Sequence, residues 1–263
     1  MKLDRRALVR GGAQLLGLTA LGCSPTPKPA PVAEAEVRLR PLSSLPVTEL
    51  PWLRLHDHFI ATVGPSAGQG RPLGSLRVLA DATFAPHSRF PLHPHREMEI
   101  LSIVLSGELS HHGDQSHGAT LRPREAQLIS ARDGMVHAEG NETDEDTRML
   151  QLWFAPTRHG GAPAYFRRSI PHAALGGRHL MAGDEAMPLR SDARVWWLDL
   201  AARQDTAIEV APGRAGYLLS LDAALQLGQG RVLVRGEGAQ LHRGGLSLRA
   251  SQDCSALWID VAA

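Results

Sequence analysis

Two short pairs of side chains carry the chemistry that this sequence can do. His93 and His95 stand one residue apart in HPHREMEILSIVLSGEL, and His137 and Glu139 stand one residue apart in MVHAEG. Along a strand, residues i and i+2 face the same way, so each pair points together. If the two strands are neighbours, roughly 5 Å apart, three imidazoles and one carboxylate converge on one point. Such a set suits a divalent first-row metal at ligand distances of about 2.0–2.2 Å. Three nitrogens and one oxygen, with no thiolate, argue against a closed structural zinc site. They favour Fe, Mn, Ni or Cu and leave positions open for substrate or water. One His-x-His alone is weak evidence, because surface histidine pairs are common; two such pairs inside a strand pattern are not.

The elements that must position these pairs read as strands. From about residue 52 the chain repeats short apolar runs between Gly, Pro, Asp and Asn: LGSLRVLADATF, MEILSIVLSGEL, ATLRPREAQLISA and RMLQLWFAP. Runs of this length with turn signals between them predict an all-β barrel or sandwich. Gly107 and Gly134 fall where strands end or bend. Pro94 removes a backbone donor between two ligands, which an edge strand tolerates. From about Val195 the strand pattern returns in RVWWLDL, GYLLSLDAAL, GRVLVRGEG and ALWIDVA, which predicts a second barrel. That half offers only His242 where ligands would stand, so no metal is expected there. Its expected role is to pack against the first barrel and complete the pocket rim, with Trp196 and Trp197 as core and interface aromatics. Among the remaining histidines, His58 is expected to line the first barrel, or a loop over it, beside the ligands, and His56 to lie on the surface. His111, His112 and His117 fall in SHHGDQSHG, which reads as a solvated hairpin near the site's mouth. NETDEDTR, residues 141–148, reads as an acidic surface loop.

HPHREMEILSIVLSG followed by RPREAQLISARDGMVHAE resembles the pirin family of the cupin superfamily. His93, His95, Glu99 and Gly107 fit the first cupin motif. Pro123-Arg124-Glu125 through His137 fits the second, with its usual turn glycine lost. LHDHFIAT, LGSLRVLADATFAP and TRMLQLWFAP are pirin-like as well, so the resemblance covers about residues 50–160. It implies a bicupin: two tandem barrels of the double-stranded β-helix type, over residues 51–160 and 161–263, the second degenerate. It also implies that His93, His95, His137 and Glu139 are the ligands. Glu99, a ligand in the wider cupin pattern, is left off the metal, where it orients a ligand or pairs with an arginine. The implied cofactor is one divalent transition metal, iron first, with Mn, Ni, Cu, Co and Zn as alternatives. Two classes of function follow from the resemblance. One is a quercetin 2,3-dioxygenase-like enzyme that opens flavonol-type aromatic substrates with O₂, with Glu139 as both ligand and catalytic base. The other is a non-catalytic metal-binding or redox-sensing protein of the cell envelope.

The chain's first residues are an address. Residues 1–23 join a basic start to an apolar run, Ala13 to Leu21, that is too short to span a bilayer. Arg5-Arg6 resembles a twin-arginine signal, and Ala20-Leu21-Gly22-Cys23 resembles a lipoprotein cleavage box with Cys23 as the acylated residue. Residues 24–50 read as a Pro/Ala-rich spacer, since Ser24 to Pro51 holds seven of the 18 prolines. The expected location is the periplasm or cell envelope, with a lipid tether as the only membrane contact. Only two cysteines exist, so no disulfide framework is possible, and Cys254 is expected in a core. The first thirty residues hold five of the 28 basic residues and one of the 27 acidic ones, leaving the rest of the chain near −3. No basic stripe with interleaved aromatics is present, so no nucleic-acid partner is expected. A small aromatic substrate and O₂ are the expected partners of a monomer.

Overall fold

The computed structural model describes residues 33–171 and 175–263. The expected export signal, the expected lipidation of Cys23 and the first part of the expected spacer fall outside the described residues.

Three sheets build the fold. The first has seven strands in the order Ala164–Ser169, Glu125–Ser130, Glu99–Ser106, Thr147–Phe154, Leu76–Phe84, Leu53–Asp57, Val47–Leu50. The second is smaller: Ser88–Arg89, Met135–Asn141, Leu109–Gly113 and Ala119–Leu121, with His93–His95 also paired to Met135–Asn141. Together they form the first barrel. The third sheet carries the second half, its centre being Ala193–Leu200, Cys254–Ala262, Asp205–Ser220 and Gly238–Ala250. The architecture is the all-β bicupin expected from the sequence.

The apolar runs are nearly continuous because the seven-stranded sheet is buried on both faces. Leu101, Ile103, Leu128, Leu150 and Leu152 face the second half, where they meet Val195, Trp197, Tyr217, Leu257 and Ile259. Their alternates Ile100 and Val104, with Leu53, Leu55, Val78 and Met149, face the barrel interior. Each such side chain, fully buried, contributes about 1.5–3 kcal/mol, so a shared apolar layer joins the two halves. Cys254 is buried in the second half's own core.

Charged clamps cross this apolar face. Arg148 forms a bidentate pair with Asp81, at 2.8 and 2.6 Å, and donates to the Leu221 carbonyl. Arg124 pairs with Asp199 through two 2.8 Å bonds and stacks over Trp197. Arg124 stands where the cupin turn usually has glycine, and it keeps the turn's left-handed backbone at φ 67°. An L residue there is strained, and the ion pair and the cation–π contact offset that strain.

Two sequence boundaries are corrected. The spacer does not run to residue 50: Glu36–Arg40 pairs with Gly238–Ala250, and Val47–Leu50 pairs with Leu53–Asp57. Proline spacing hid this, because Pro41 and Pro46 fall in the connection between the two strands. Nor does everything after residue 160 belong to the second barrel, since Ala164–Ser169 is an edge strand on Glu125–Ser130. In the acidic stretch, Asn141, Thr147 and Arg148 are strand residues, and only residues 142–146 are loop.

Candidate metal centre

The strand Met135–Asn141 is the spine of the site. Its inward residues are His137 and Glu139, and each has a partner on a different neighbouring strand. His137 is in register with His93, and Glu139 with His111. On the far side His137 faces Gly113, at φ 149°, where a Cβ would lie 2.3 Å from the Val136 carbonyl oxygen and 2.9 Å from the His137 Cβ. Glycine is what lets the two strands close around the histidine.

His93, His95 and His137 come together. Their ring centroids lie 4.6–4.9 Å apart, and their donor atoms are all within 4.8 Å of one another. His93 donates from Nδ1 to the Pro91 carbonyl at 2.8 Å, because a carbonyl only accepts. That bond fixes the tautomer and leaves the Nε2 lone pair for a ligand. His137 is completely buried, and neither ring nitrogen has a hydrogen-bond partner. Burial, reinforced by the neighbouring imidazoles, holds His95 and His137 down to about 3. Both rings are therefore neutral at physiological pH and offer lone pairs. Buried imidazole nitrogens without partners are costly unless something binds them, so the donor set fits a divalent metal.

Glu139 is buried and held from the opposite sheet. Ser102 Oγ and Gln127 Nε2 donate to its Oε1, and Gln151 Nε2 donates to Oε2. Ser102, Gln127 and Gln151 lie on one cross-strand rung, in register with one another. Gln151 also accepts from Trp153 Nε1 at 2.9 Å, and the Trp153 ring lies edge-on to His95 with centroids 5.0 Å apart. One chain of contacts thus links the carboxylate to the histidine trio. Burial raises the proton affinity of Glu139 above the usual carboxylate range, although His111 and the hydrogen-bond donors pull the other way. Its grouping within ligand distance is with His137 and His111, not with His93 and His95.

Four expectations need correction. His111 is not solvated: it is completely buried, its ring 5.2 Å from His137 and 5.4 Å from Tyr165. Nor is His112, a strand residue whose largely buried ring meets Glu142 at 2.8 Å; of the three, His117 alone is exposed, in the turn. His58 is not beside the ligands, because its side chain points toward the second half and bonds Tyr217 Oη at 2.6 Å. His56, expected on the surface, is half-buried. Glu99 hydrogen-bonds to no ligand and forms no side-chain ion pair with arginine. Its oxygens accept from Ser130 Oγ at 2.6 Å and from the Arg190 backbone N–H at 3.3 Å, tying the second half's loop to the barrel. In the second half His242 is exposed beside Gln240, and the potential metal-binding groups among the described residues all lie in the first barrel.

Comparison with known proteins agrees with this architecture. A family model described as Pirin matches residues 45–154, and one described as Quercetinase C-terminal cupin domain matches residues 181–261. A Pseudomonas aeruginosa protein carrying the provisional name quercetin 2,3-dioxygenase is 31% identical over 232 residues, spanning 86% of this chain and 100% of its own. The quercetin 2,3-dioxygenase of Escherichia coli is 26% identical over 199 residues, which are 71% of this chain and 82% of that one. Among solved structures, the Escherichia coli pirin YhhW in complex with nickel(II) has a TM-score of 0.78 at 22% identity, covering 86% of this chain and 99% of its own.

Proposed function

The chain belongs to the pirin family, and from that premise we propose that it is a metal-dependent dioxygenase opening flavonol-like aromatic substrates with O₂. The observation that carries this reading is the trio of converging imidazoles beside a buried carboxylate of raised proton affinity. His93, His95 and His137 would hold one divalent transition metal, with Glu139 as the carboxylate donor. Iron remains the first choice, and nickel gains support from the metal of the solved pirin YhhW. Bound there, the ion supplies Lewis-acid and redox chemistry toward O₂ and a chelating hydroxyl.

The chain's own residues do the rest. Glu139 accepts the proton of the substrate's enolic hydroxyl, a task suited to a carboxylate whose pKa burial has raised. Ser102, Gln127 and Gln151 keep that carboxylate aimed while it changes charge. The His93–Pro91 bond holds one imidazole in a single tautomer. Phe90 and Trp153 flank His93 and His95 edge-on, giving a planar aromatic substrate apolar walls. The same proposal places the protein in the cell envelope, tethered through Cys23; that part is supported by the sequence of residues 1–23 alone.

The test is oxygen uptake by metal-reconstituted protein with quercetin. Uptake coupled to loss of the flavonol absorbance is expected, and the absence of both changes would sink the enzymatic reading. The rival, a non-catalytic metal-binding protein, predicts that a catechol added anaerobically gives no charge-transfer band with the loaded protein.

A further inference from the structure

His111 has no part in the outer trio, yet it is built like a ligand. It faces inward directly opposite Glu139, and the donor atoms of His111, His137 and Glu139 all lie within 4.8 Å of one another. All three residues are buried: His111 and His137 are 0% exposed and Glu139 is 1% exposed. Neither ring nitrogen of His111 has a hydrogen-bond partner, and the same holds for His137. An imidazole N–H left unpaired in the interior costs about 1–3 kcal/mol.

The carboxylate also has capacity left. Glu139 Oε1 takes two donors and Oε2 takes one, whereas an ionised carboxylate offers about four acceptor sites. All three donors are neutral. The unpaired ring nitrogens of His111 and His137 and the open acceptor positions of Glu139 thus meet at one buried point.

We propose that His111, His137 and Glu139 form a second, inner seat for a divalent transition metal, which makes His111 a further metal-ligating residue. The seat shares His137 with the outer trio and draws on the same carboxylate, Glu139. A neutral imidazole has one free lone pair, so His137 ligates one ion at a time, and the two seats are alternatives for a single ion. The inference rests on the reading that this barrel binds metal and is independent of the dioxygenase reading.

Cobalt(II), titrated anaerobically, is the probe. His93→Ala/His95→Ala removes two outer ligands and leaves the inner seat whole. This variant should still bind one Co(II) per chain, with a d–d spectrum altered from that of the wild type. Adding His111→Ala should bring binding to background. A folded double variant that binds no Co(II), or a triple variant that binds as well as the double, would overturn the inner seat. The wild-type chain gives a second readout, free of any risk that the double variant fails to fold. Its Co(II) form should show a hyperfine-shifted exchangeable imidazole N–H resonance that disappears in His111→Ala; an unchanged set would also overturn the proposal. Wild-type protein that binds no Co(II) at all would remove the metal reading of the whole barrel, a failure distinct from loss of the inner seat alone.

Discussion

Gln151 is where the account of the site can be broken most cleanly. Its amide donates to Glu139 Oε2 and accepts from Trp153 Nε1, and Trp153 packs on His95, so one side chain couples the carboxylate to the imidazoles. Gln151→Leu keeps most of the volume and removes both bonds. A hydrogen bond to a charged group contributes about 1.5–3 kcal/mol, and the Trp153 bond about 0.5–1.5 kcal/mol. The metal-free protein should therefore lose roughly 2–4 kcal/mol in urea unfolding. Groups that hold a ligand in place typically govern its affinity by about 10–100-fold. Chelator competition with Co(II) or Ni(II) should accordingly show binding weaker by that factor, with Gln151→Glu weaker still because it sets a second carboxylate against Glu139. Unchanged metal affinity together with unchanged stability in Gln151→Leu would refute the idea that this cradle supports the site.

Four other outcomes follow from the structure. Asp57 is completely buried with neither oxygen partnered, and burial raises it from 3.8 to about 6. Folding thus favours its protonated form, so its contribution is greatest below pH 3.8 and is lost as pH rises to about 6; the wild type's stability relative to Asp57→Asn should fall by roughly 3 kcal/mol across that window. His58 has the opposite sign. Burial lowers it from 6.5 to about 4, so its stabilisation is full above pH 6.5 and drains away toward pH 4, by roughly 3 kcal/mol relative to His58→Gln in acid unfolding. Asp199→Ala strands the Arg124 guanidinium between the two halves and should cost about 3–5 kcal/mol in urea unfolding, while Arg124→Met/Asp199→Leu recovers most of the loss. Cys23→Ser should move the protein from the membrane fraction to the soluble envelope fraction, and Arg5→Lys/Arg6→Lys should retain it in the cytoplasm; unchanged fractionation would remove the lipoprotein reading.

The outer site was legible because it is local. His93 with His95, and His137 with Glu139, are i, i+2 pairs, and strand alternation alone makes each pair converge. The register that sets His137 against His93 and Glu139 against His111 is not local, and no short-range pattern states it. His111 nonetheless left a signal. Leu109, His111 and Gly113 share one face of a strand, so His111 goes wherever Leu109 goes, which is inward. The polar letters of SHHGDQSHG hid that alternation. In LRLHDHF, alternation likewise sends Asp57 inward with Leu53 and Leu55, and sends His58 to the opposite face. That face is buried only because Tyr217, 159 residues away, closes over it. Ser102, Gln127 and Gln151 gave no sign of acting together, since each is a single polar residue in an apolar run and only sheet order aligns them. The spacer was overextended because prolines at a strand connection look like prolines in a linker.

His137 belongs to both triads, so its removal tests the metal centre most directly. His137→Ala and His242→Ala should be purified in parallel with the wild-type chain from the native host, and their transition metals counted per chain by elemental analysis. Wild type and His242→Ala should carry the same metal in near-stoichiometric amount, and His137→Ala should carry almost none. Equal metal in all three proteins would contradict the site.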